Sequence, residues 1–339
     1  MRQKLLAVAV SGALAALATP ASFAQSTATI SGTISVGIHA TGATGAAGDP
    51  NVTSLGGGAN AINISTLEDL GGGLRGGFTG QIRFNAATGD RNSAGTGNAL
   101  MHAANVFLTG GFGTFRVGKI GEASNCGFDP WACTGGASLV AGSTAGHNAL
   151  IAGLTTANAV NFTTPTVSGF SGSYQTSMSI RVNERRVLSL DYAQGPLALQ
   201  YLQSNNSANT AADGAVGAAE TIAAITDVKG KGTSLGASYN MGFARVNFIN
   251  AVTKNAAQAK TANITSISGS VPMGALTWLA GYNKARTGGD YTATVQSDTK
   301  FSVGVNYALS KRTTVGADIM NAEAANGSTG FTLRARHTF

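Results

Sequence analysis

The chain has 339 residues, of which 11% are charged and 47 are glycine; the charge is about half, and the glycine about twice, what soluble domains usually carry. With six prolines and 43% hydrophobic residues, the chain is neither collagen-like nor disordered, because it has enough apolar surface to fold. No apolar run of 18 or more residues follows the N-terminal segment, so only strands could carry the chain across a membrane.

The N-terminus predicts export. Arg2 and Lys4 precede an apolar run, and small residues end the segment at 21–24. This three-part pattern is typical of a secretory signal peptide, so we expect a signal peptide over 1–24 and a mature domain over 25–339. The alternative, a mature amphipathic helix, is disfavoured because the segment is apolar on every side.

The exported chain is mildly basic. Without Arg2 and Lys4, 20 of the 22 basic residues remain against 15 acidic ones, a formal charge of +5. The basic residues are spread along the chain and are not interleaved with aromatics. Nucleic acid is therefore not an expected partner.

From Thr27 onward, apolar and polar residues alternate in runs of about ten, which is the pattern of strands with two different faces. The short breaks between runs lie at 68–73, 110–113, 165–169, 195–196, 241–242, 272–274 and 309–312. The longer polar breaks lie at 41–58, 87–100, 121–150, 181–184, 204–231, 253–261, 285–298 and 322–328. Sixteen strands with short turns at one end and long loops at the other are typical of an outer-membrane barrel. The predicted fold is therefore all-β, a transmembrane antiparallel 16-stranded β-barrel.

The two faces of the strands support a water-filled interior. In the last strand Phe331 and Phe339 share one parity, whereas Arg334 and Arg336 share the other, and the strand at 74–84 repeats the pattern. A buried charge without a partner costs several kcal/mol, so these arginines need water. We expect the basic face to line a wet lumen and the apolar face to contact lipid.

The cysteines predict a crosslink in the third long loop. Cys126 and Cys133 are the only two cysteines, and the export signal sends them to an oxidising compartment. A disulfide between them is the favoured interpretation. Two free thiols are the alternative, and a metal site is poorly supported because no histidine lies near them in sequence.

Three motifs that would indicate catalysis or cofactor binding are incomplete. The segment 113–119 follows the pattern of a phosphate loop, but Ile120 stands where Ser or Thr is needed, and the segment alternates like a strand. Ser143 and His147 lack the Gly-x-Ser-x-Gly setting of a hydrolase nucleophile, and the four histidines are far apart in sequence. We expect no catalytic residue, no metal and no cofactor.

Five blocks and the C-terminus carry a family resemblance. They read Leu-Glu-Asp-Leu-Gly-Gly-Gly-Leu at 67–74, Gly-Phe-Gly-Thr-Phe-Arg-Val-Gly-Lys at 111–119, Thr-Pro-Thr-Val-Ser-Gly-Phe at 164–170, Tyr-Ala-Gln-Gly-Pro-Leu at 192–197, Tyr-Ala-Leu-Ser-Lys-Arg-Thr at 307–313 and a closing Leu-Arg-Ala-Arg-His-Thr-Phe. In this order they resemble the Gram-negative porins of the Neisseria and Burkholderia type. The resemblance implies a usually trimeric channel whose third long loop folds into the lumen.

The resemblance also implies partners. These are a homotrimer, outer-membrane lipid, small hydrophilic solutes and anions, and the barrel-insertion machinery, which would read the terminal aromatic Phe339 as an assembly signal. Two features depart from the family. Ala61 and Ser65 stand where relatives often carry basic residues, and the third loop has Asn-Cys-Gly-Phe-Asp-Pro-Trp-Ala-Cys in place of Pro-Glu-Phe-Gly-Gly.

Four basic residues are the candidates for the pore lining. Arg75, Arg83 and Arg116 share the inward parity of their strands, and Lys119 lies where the fifth strand runs into the third loop.

The acidic counterpart is predicted on that loop, where Glu122 and Asp129 are the only acids between 121 and 150. A field between a basic wall and an acidic constriction loop would orient polar solutes and favour anions. The alternative is that the arginines only solvate the lumen or hold the loop through ion pairs.

The function that the sequence predicts is a channel for passive diffusion of small hydrophilic solutes and ions, with a modest anion preference. A substrate-selective channel of the same fold would need a continuous aromatic track, and aromatics are only 7%. A secreted β-rich adhesin would need internal repeats at a fixed period, and the sequence has none.

The disulfide has a direct test. A bridge between Cys126 and Cys133 closes a small loop and restricts the unfolded chain by about 2–3 kcal/mol. We expect denatured, unreduced protein to take up no thiol reagent, and reduced protein to be labelled at both cysteines. Labelling at both sites before reduction would refute the bridge.

Overall fold

The structure is a computed structural model and describes residues 27–40, 50–55, 60–90, 100–128, 155–178, 185–206, 230–255, 260–287, 296–322 and 329–339. Its strands are β1 (Thr27–Ala40), β2 (Asn51–Ser54), β3 (Ala61–Gly71), β4 (Leu74–Arg83), β5 (Ala103–Gly110), β6 (Gly113–Gly121), β7 (Thr155–Thr163), β8 (Phe170–Ser177), β9 (Arg185–Gln194), β10 (Leu197–Asn206), β11 (Gly230–Asn240), β12 (Arg245–Asn255), β13 (Lys260–Met273), β14 (Leu276–Thr287), β15 (Gln296–Ala308), β16 (Thr313–Ala322) and β17 (Thr329–Thr338). A short 3-10 helix spans Asn125–Phe128. Within these ranges no helix has the length and apolarity needed to cross a bilayer.

The strands form one closed antiparallel sheet. From β3 onward, each strand pairs with the next strand in sequence, and the last strand returns to the first, from Thr33 opposite Thr338 to Ala40 opposite Phe331. The seven short breaks predicted from the sequence correspond to tight turns between strands at one end of the barrel. The eight longer breaks correspond to the intervals between strands at the other end. The predicted 16-stranded antiparallel barrel is confirmed.

The second position of the barrel is shared by two segments. β2 pairs with Val36–His39 of β1, and β3 pairs with the earlier half of the same strand. Asn60 joins the two segments: its amide nitrogen donates to the Ser35 carbonyl (3.1 Å) and the Leu55 carbonyl (3.2 Å), and its amide oxygen accepts from the Ser35 N–H. The Ser35 carbonyl also accepts from the Leu55 N–H at 3.0 Å, so the backbone groups that Asn60 newly satisfies are the Ser35 N–H and the Leu55 carbonyl.

The outward face is apolar and exposed. Phe301 is 56% exposed, whereas the adjacent inward residue Ser302 is 8% exposed. Leu190 and Ile267 show the same outward exposure on other strands. A soluble protein would bury such a surface, so its natural solvent is the hydrocarbon of a bilayer.

The inward face is less polar than alternation predicts. Between β9 and β13, inward positions include apolar side chains that are almost completely buried: Val187, Leu202, Ile249, Ala251 and Ile264. The 3-10 helix packs on this wall through contacts with β11 and β12. Part of the lumen wall is therefore covered and dry, while the water-facing part lies elsewhere around the barrel.

The seam between the first and last strands depends on a close approach. Gly32 and Phe339 exchange both backbone hydrogen bonds, at 2.9 and 3.0 Å. A Cβ at Gly32 would collide with the Phe339 ring and would lie 2.5 Å from the Ala61 carbonyl oxygen. A side chain at position 32 cannot fit without moving the terminal residue.

This contact predicts a position-dependent effect of adding one methyl group. Gly32→Ala should lower the free energy of unfolding by ~1–3 kcal/mol, because the added atom overpacks the seam. Gly172→Ala is the matched control, since its nearest neighbours would lie at an ordinary 3.4 Å. Heat-dependent migration of the folded barrel on a gel measures both, and an equal loss in the two variants would contradict the assignment.

Candidate functional site

The candidate site is the inward face of β3–β6 and β17 together with the segment that enters the lumen after β6. Arg116 lies on the inward parity of β6, opposite Asn161 of β7. Its guanidinium reaches the side-chain oxygens of Asn161 (3.4 Å) and Thr163 (3.5 Å). Arg75 lies on the same wall near the short turns, opposite Asp69 and Thr109 in register. These two arginines form one part of a basic wall, and Arg75 marks its end near the short turns.

Arg83 lies at the other end of β4, eight residues from Arg75, which is about 26 Å along an extended strand. Its Nε donates to Gln81 Oε1 at 2.7 Å, and Gln81 in turn donates to Asn63 at 2.8 Å. Ala61, where relatives often carry a basic residue, lies directly opposite Arg83. Arg83, at the long-loop end of the wall, is therefore well separated from Arg75, which lies near the short turns.

His102, which precedes β5, lies close enough to two of the predicted residues, Arg83 and Lys119, to be influenced by their charges. Burial, followed by the positive charges of Arg83 and Lys119, lowers the pKa of His102 to about 3, so the imidazole is neutral at physiological pH. Lys119 lies opposite Ala104 in register, on the parity of the outward residue Val117, and its ammonium group lies 3.4 Å from the Met101 carbonyl. The structure thus places Lys119 near Arg83 at the rim, and its contribution to the pore lining stays a prediction.

The last strand adds two inward arginines that differ in their partners. Arg334 pairs with Asp318 of β16 and donates to Asn306 of β15. A Cβ at Gly316 would lie 2.9 Å from the guanidinium carbon, so the arginine lies flat on the wall. Arg336 also lies on the inward parity, and no ion pair reaches it within the described ranges.

Glu122 is fully engaged at the root of the third loop. Arg185 of β9 donates through Nε to one carboxylate oxygen and through Nη2 to the other, the latter at 2.7 Å, and Thr156 donates to the same carboxylate at 2.7 Å. The carboxylate is 0% exposed. The arginine that holds the loop is thus Arg185, and the charge of Glu122 is cancelled where it enters the lumen.

The segment after Glu122 then reaches the opposite wall. β6 and β11 lie five positions apart around the barrel, yet Asn125 donates to Ser234 of β11 at 2.8 Å, and Arg245 of β12 donates to the Gly127 carbonyl at 2.9 Å. The ring of Phe128 lies on Gly236, where a Cβ would come within 2.6 Å. The described start of the third long loop, up to Phe128, therefore turns inward, as the resemblance implied.

Asp191 is the inward acid of β9. It accepts from Ser189 and from Gln200, both at 2.6 Å, and it lies on the side of the barrel away from β17 and β1. Inward basic residues thus lie on β4, β6 and β17, and also on β9 and β12, and Asp191 lies on β9, three strands from β6.

Two predicted residues lie outside the described residues. Asp129 and Cys133 belong to 129–154, so the acidic tip of the loop and the disulfide with Cys126 stay predictions. Phe339 is described, and it lies at the seam on the outward side.

Sequence reasoning missed four residues of the site. Arg185, Asp191, Asp318 and Arg245 all lie on inward parities, so alternation could have flagged them. Their partners are 63, 9, 16 and 118 residues away in sequence, and only the closed sheet brings the distant pairs together.

The ion pair at the loop root can be tested directly. Glu122→Gln leaves Arg185 without a charged partner, which for a buried group costs about 3 kcal/mol and opens the loop locally about 100-fold more often. We expect faster cleavage within 122–154 by a non-specific protease, mapped by mass spectrometry. Glu68→Gln, at an exposed position, is the control, and equal cleavage rates in both variants would show that the pair does not hold the loop.

Comparison with known proteins agrees with this architecture. The family model described as Gram-negative porin matches residues 7–327, and no curated protein sequence matches. An anion-selective porin from Comamonas acidovorans has a TM-score of 0.68 at 20% identity, with 93% of this chain and all of that chain covered. The trimer form of OmpT from Vibrio cholerae has a TM-score of 0.63 at 15% identity, with 93% and 99% covered. A mutant of the Rh. blastica porin has a TM-score of 0.64 at 17% identity, with 92% and 100% covered.

At these identities the solved structures show a shared fold, while the family model covers nearly the whole chain. The Neisseria and Burkholderia subtype is not resolved by these matches. A secreted adhesin is not favoured, because the closed barrel and the family agree on a membrane location. The chain belongs to the Gram-negative porin family and forms an outer-membrane channel.

Proposed function

We propose that the chain is a passive diffusion channel for small hydrophilic solutes with a modest preference for anions, and that it has no catalytic step. The observation that carries the proposal is an imbalance of lumen charge. Glu122 and Asp318 are each neutralised by an arginine, whereas the hydrogen-bond partners of Arg116 in the described part of the chain, Asn161 and Thr163, are neutral. The water-facing wall thus keeps a surplus of positive charge.

The surplus of positive charge selects among solutes while they pass through the channel. Positive side chains on the inward face raise the local concentration of anions, while Asp191 of β9 orients dipolar solutes. The charges face water and are screened over roughly 8–10 Å at physiological salt. The selectivity is therefore expected to be modest, and the rate depends on the width of the constriction. The anion selectivity named for the Comamonas acidovorans porin supports this interpretation.

Export and assembly in the outer membrane must precede this function. Residues 1–24 act as a cleaved signal peptide, and Phe339 is the terminal aromatic that the insertion machinery reads. A homotrimer with one pore per subunit is the proposed assembly, supported by the trimer form named for OmpT of Vibrio cholerae and by the general preference of oligomers for closed symmetry.

The charge of the wall can be reversed at two points. Arg83→Glu combined with Arg116→Glu should shift the zero-current potential in a KCl gradient toward cation preference, because both side chains lie on the inward face. Arg83→Lys with Arg116→Lys keeps the charge and should keep the wild-type potential. A wild-type channel that prefers cations, or a reversed variant with an unchanged potential, would show that the field is set elsewhere.

A further inference from the structure

The 3-10 helix in the third loop lies along one strand of the opposite wall. Asn125 donates to Ser234 of β11 at 2.8 Å, and the ring of Phe128 lies on Gly236. Ser234 and Gly236 are successive inward positions of β11. The helix therefore follows the strand and does not touch it at a single point only.

Arg245 of β12 holds the helix on the other side of Gly236. Its guanidinium donates to the Gly127 carbonyl at 2.9 Å and to Ser238 at 3.1 Å, and Ser238 is the next inward position of β11 after Gly236. Polar contacts thus lie on both sides of the ring. The helix cannot slide along the strand without breaking one of them.

Gly236 leaves a gap in the wall. Its direct partners in the ladder are Gln200 of β10 and Ile249 of β12, which both carry inward side chains. A Cβ at Gly236 would lie 2.6 to 3.0 Å from three carbons of the Phe128 ring, so the ring lies where a side chain of residue 236 would otherwise stand. Gly236 has no left-handed φ angle, and the ring therefore explains the glycine better than the backbone does.

A side chain at position 236 would push the helix toward the axis of the channel. Carbon atoms in contact lie about 3.5–4.0 Å apart, so a single Cβ would make the ring retreat by about 1 Å, and a branched side chain would displace it further. Because the polar contacts block a sideways shift, the displacement is into the lumen. The loop enters the channel, so each step away from the wall narrows the opening that is left for solutes.

We infer that Gly236 is a positioning residue that sets the width of the constriction, because it gives the ring of Phe128 a recess in the wall. The largest solute that passes is then decided by a missing side chain on β11, a strand distant from the loop in sequence. The inference concerns the width of the channel and does not depend on its anion preference.

The test measures single-channel conductance of the full mature chain in planar bilayers, and the uptake of a monosaccharide and a trisaccharide by liposome swelling. Gly236→Val should lower the conductance at least about twofold and should slow the trisaccharide more than the monosaccharide, because passage depends on pore diameter. Ala103→Leu is the control. It adds the same three carbon atoms to the inward face of β5, opposite Gln81, and should keep the wild-type values.

A second substitution separates displacement of the ring from general damage. Phe128→Ala removes the ring, so Gly236→Val combined with Phe128→Ala should return the conductance to near the wild-type value, since the valine then occupies the vacated space. Heat-dependent migration on a gel reports the folding of each variant. Gly236→Ala, the smaller change, takes the place of Gly236→Val if the valine prevents folding.

Three results would overturn the inference: an unchanged conductance on substitution of Gly236, an equal loss in Ala103→Leu, or a lowered conductance that Phe128→Ala does not restore. The zero-current potential is recorded from the same membranes. A wild-type channel without anion preference would contradict the proposed function, and it would leave the ratio of conductances between the variants unaffected.

Discussion

The structure depends on one constraint: in a bilayer every backbone N–H and C=O group must find a partner within the protein. A sheet meets this condition only when its first and last strands pair, and the ladder from Thr33 to Ala40 against β17 closes it. Where the ladder is interrupted, between β2 and β3, the Asn60 side chain supplies partners for the Ser35 N–H and the Leu55 carbonyl. Closure also fixes which residues face lipid and which face the lumen, because the period of a strand is two.

The abundance of glycine follows from the crowding that closure imposes on side chains of neighbouring strands. Phe107 lies across Gly77, and the carboxylate of Asp318 lies within 3.0 Å of the place where a Cβ of Gly304 would stand. In each case a large or charged side chain lies flat on the wall instead of projecting into the channel. The glycines therefore keep the lumen open by giving bulky neighbours room at the wall.

Alternation alone predicted the strand count, the two faces and the inward position of Arg83, Arg116 and Arg334, because each of these depends only on local parity. It could not predict that Arg334 meets Asp318, or that the acid at the start of the third loop, Glu122, would be neutralised. Ion pairs depend on register and on which strands become neighbours. The same limit applies to the buried inward wall: its side chains follow the period of two, whereas the 3-10 helix that packs on β11 and β12 comes from a loop distant in sequence.

The segment from Glu122 to Phe128 has a mechanical consequence. It is fixed to β9 at its root and to β11 and β12 through Asn125 and Gly127, so it forms a chord across a ring. A ring of strands under lateral pressure flattens most easily along its longest unsupported span, and a chord attached at two separated points resists that deformation. Flattening the barrel along this line would have to break the hydrogen bonds that Asn125 and Gly127 make with β11 and β12.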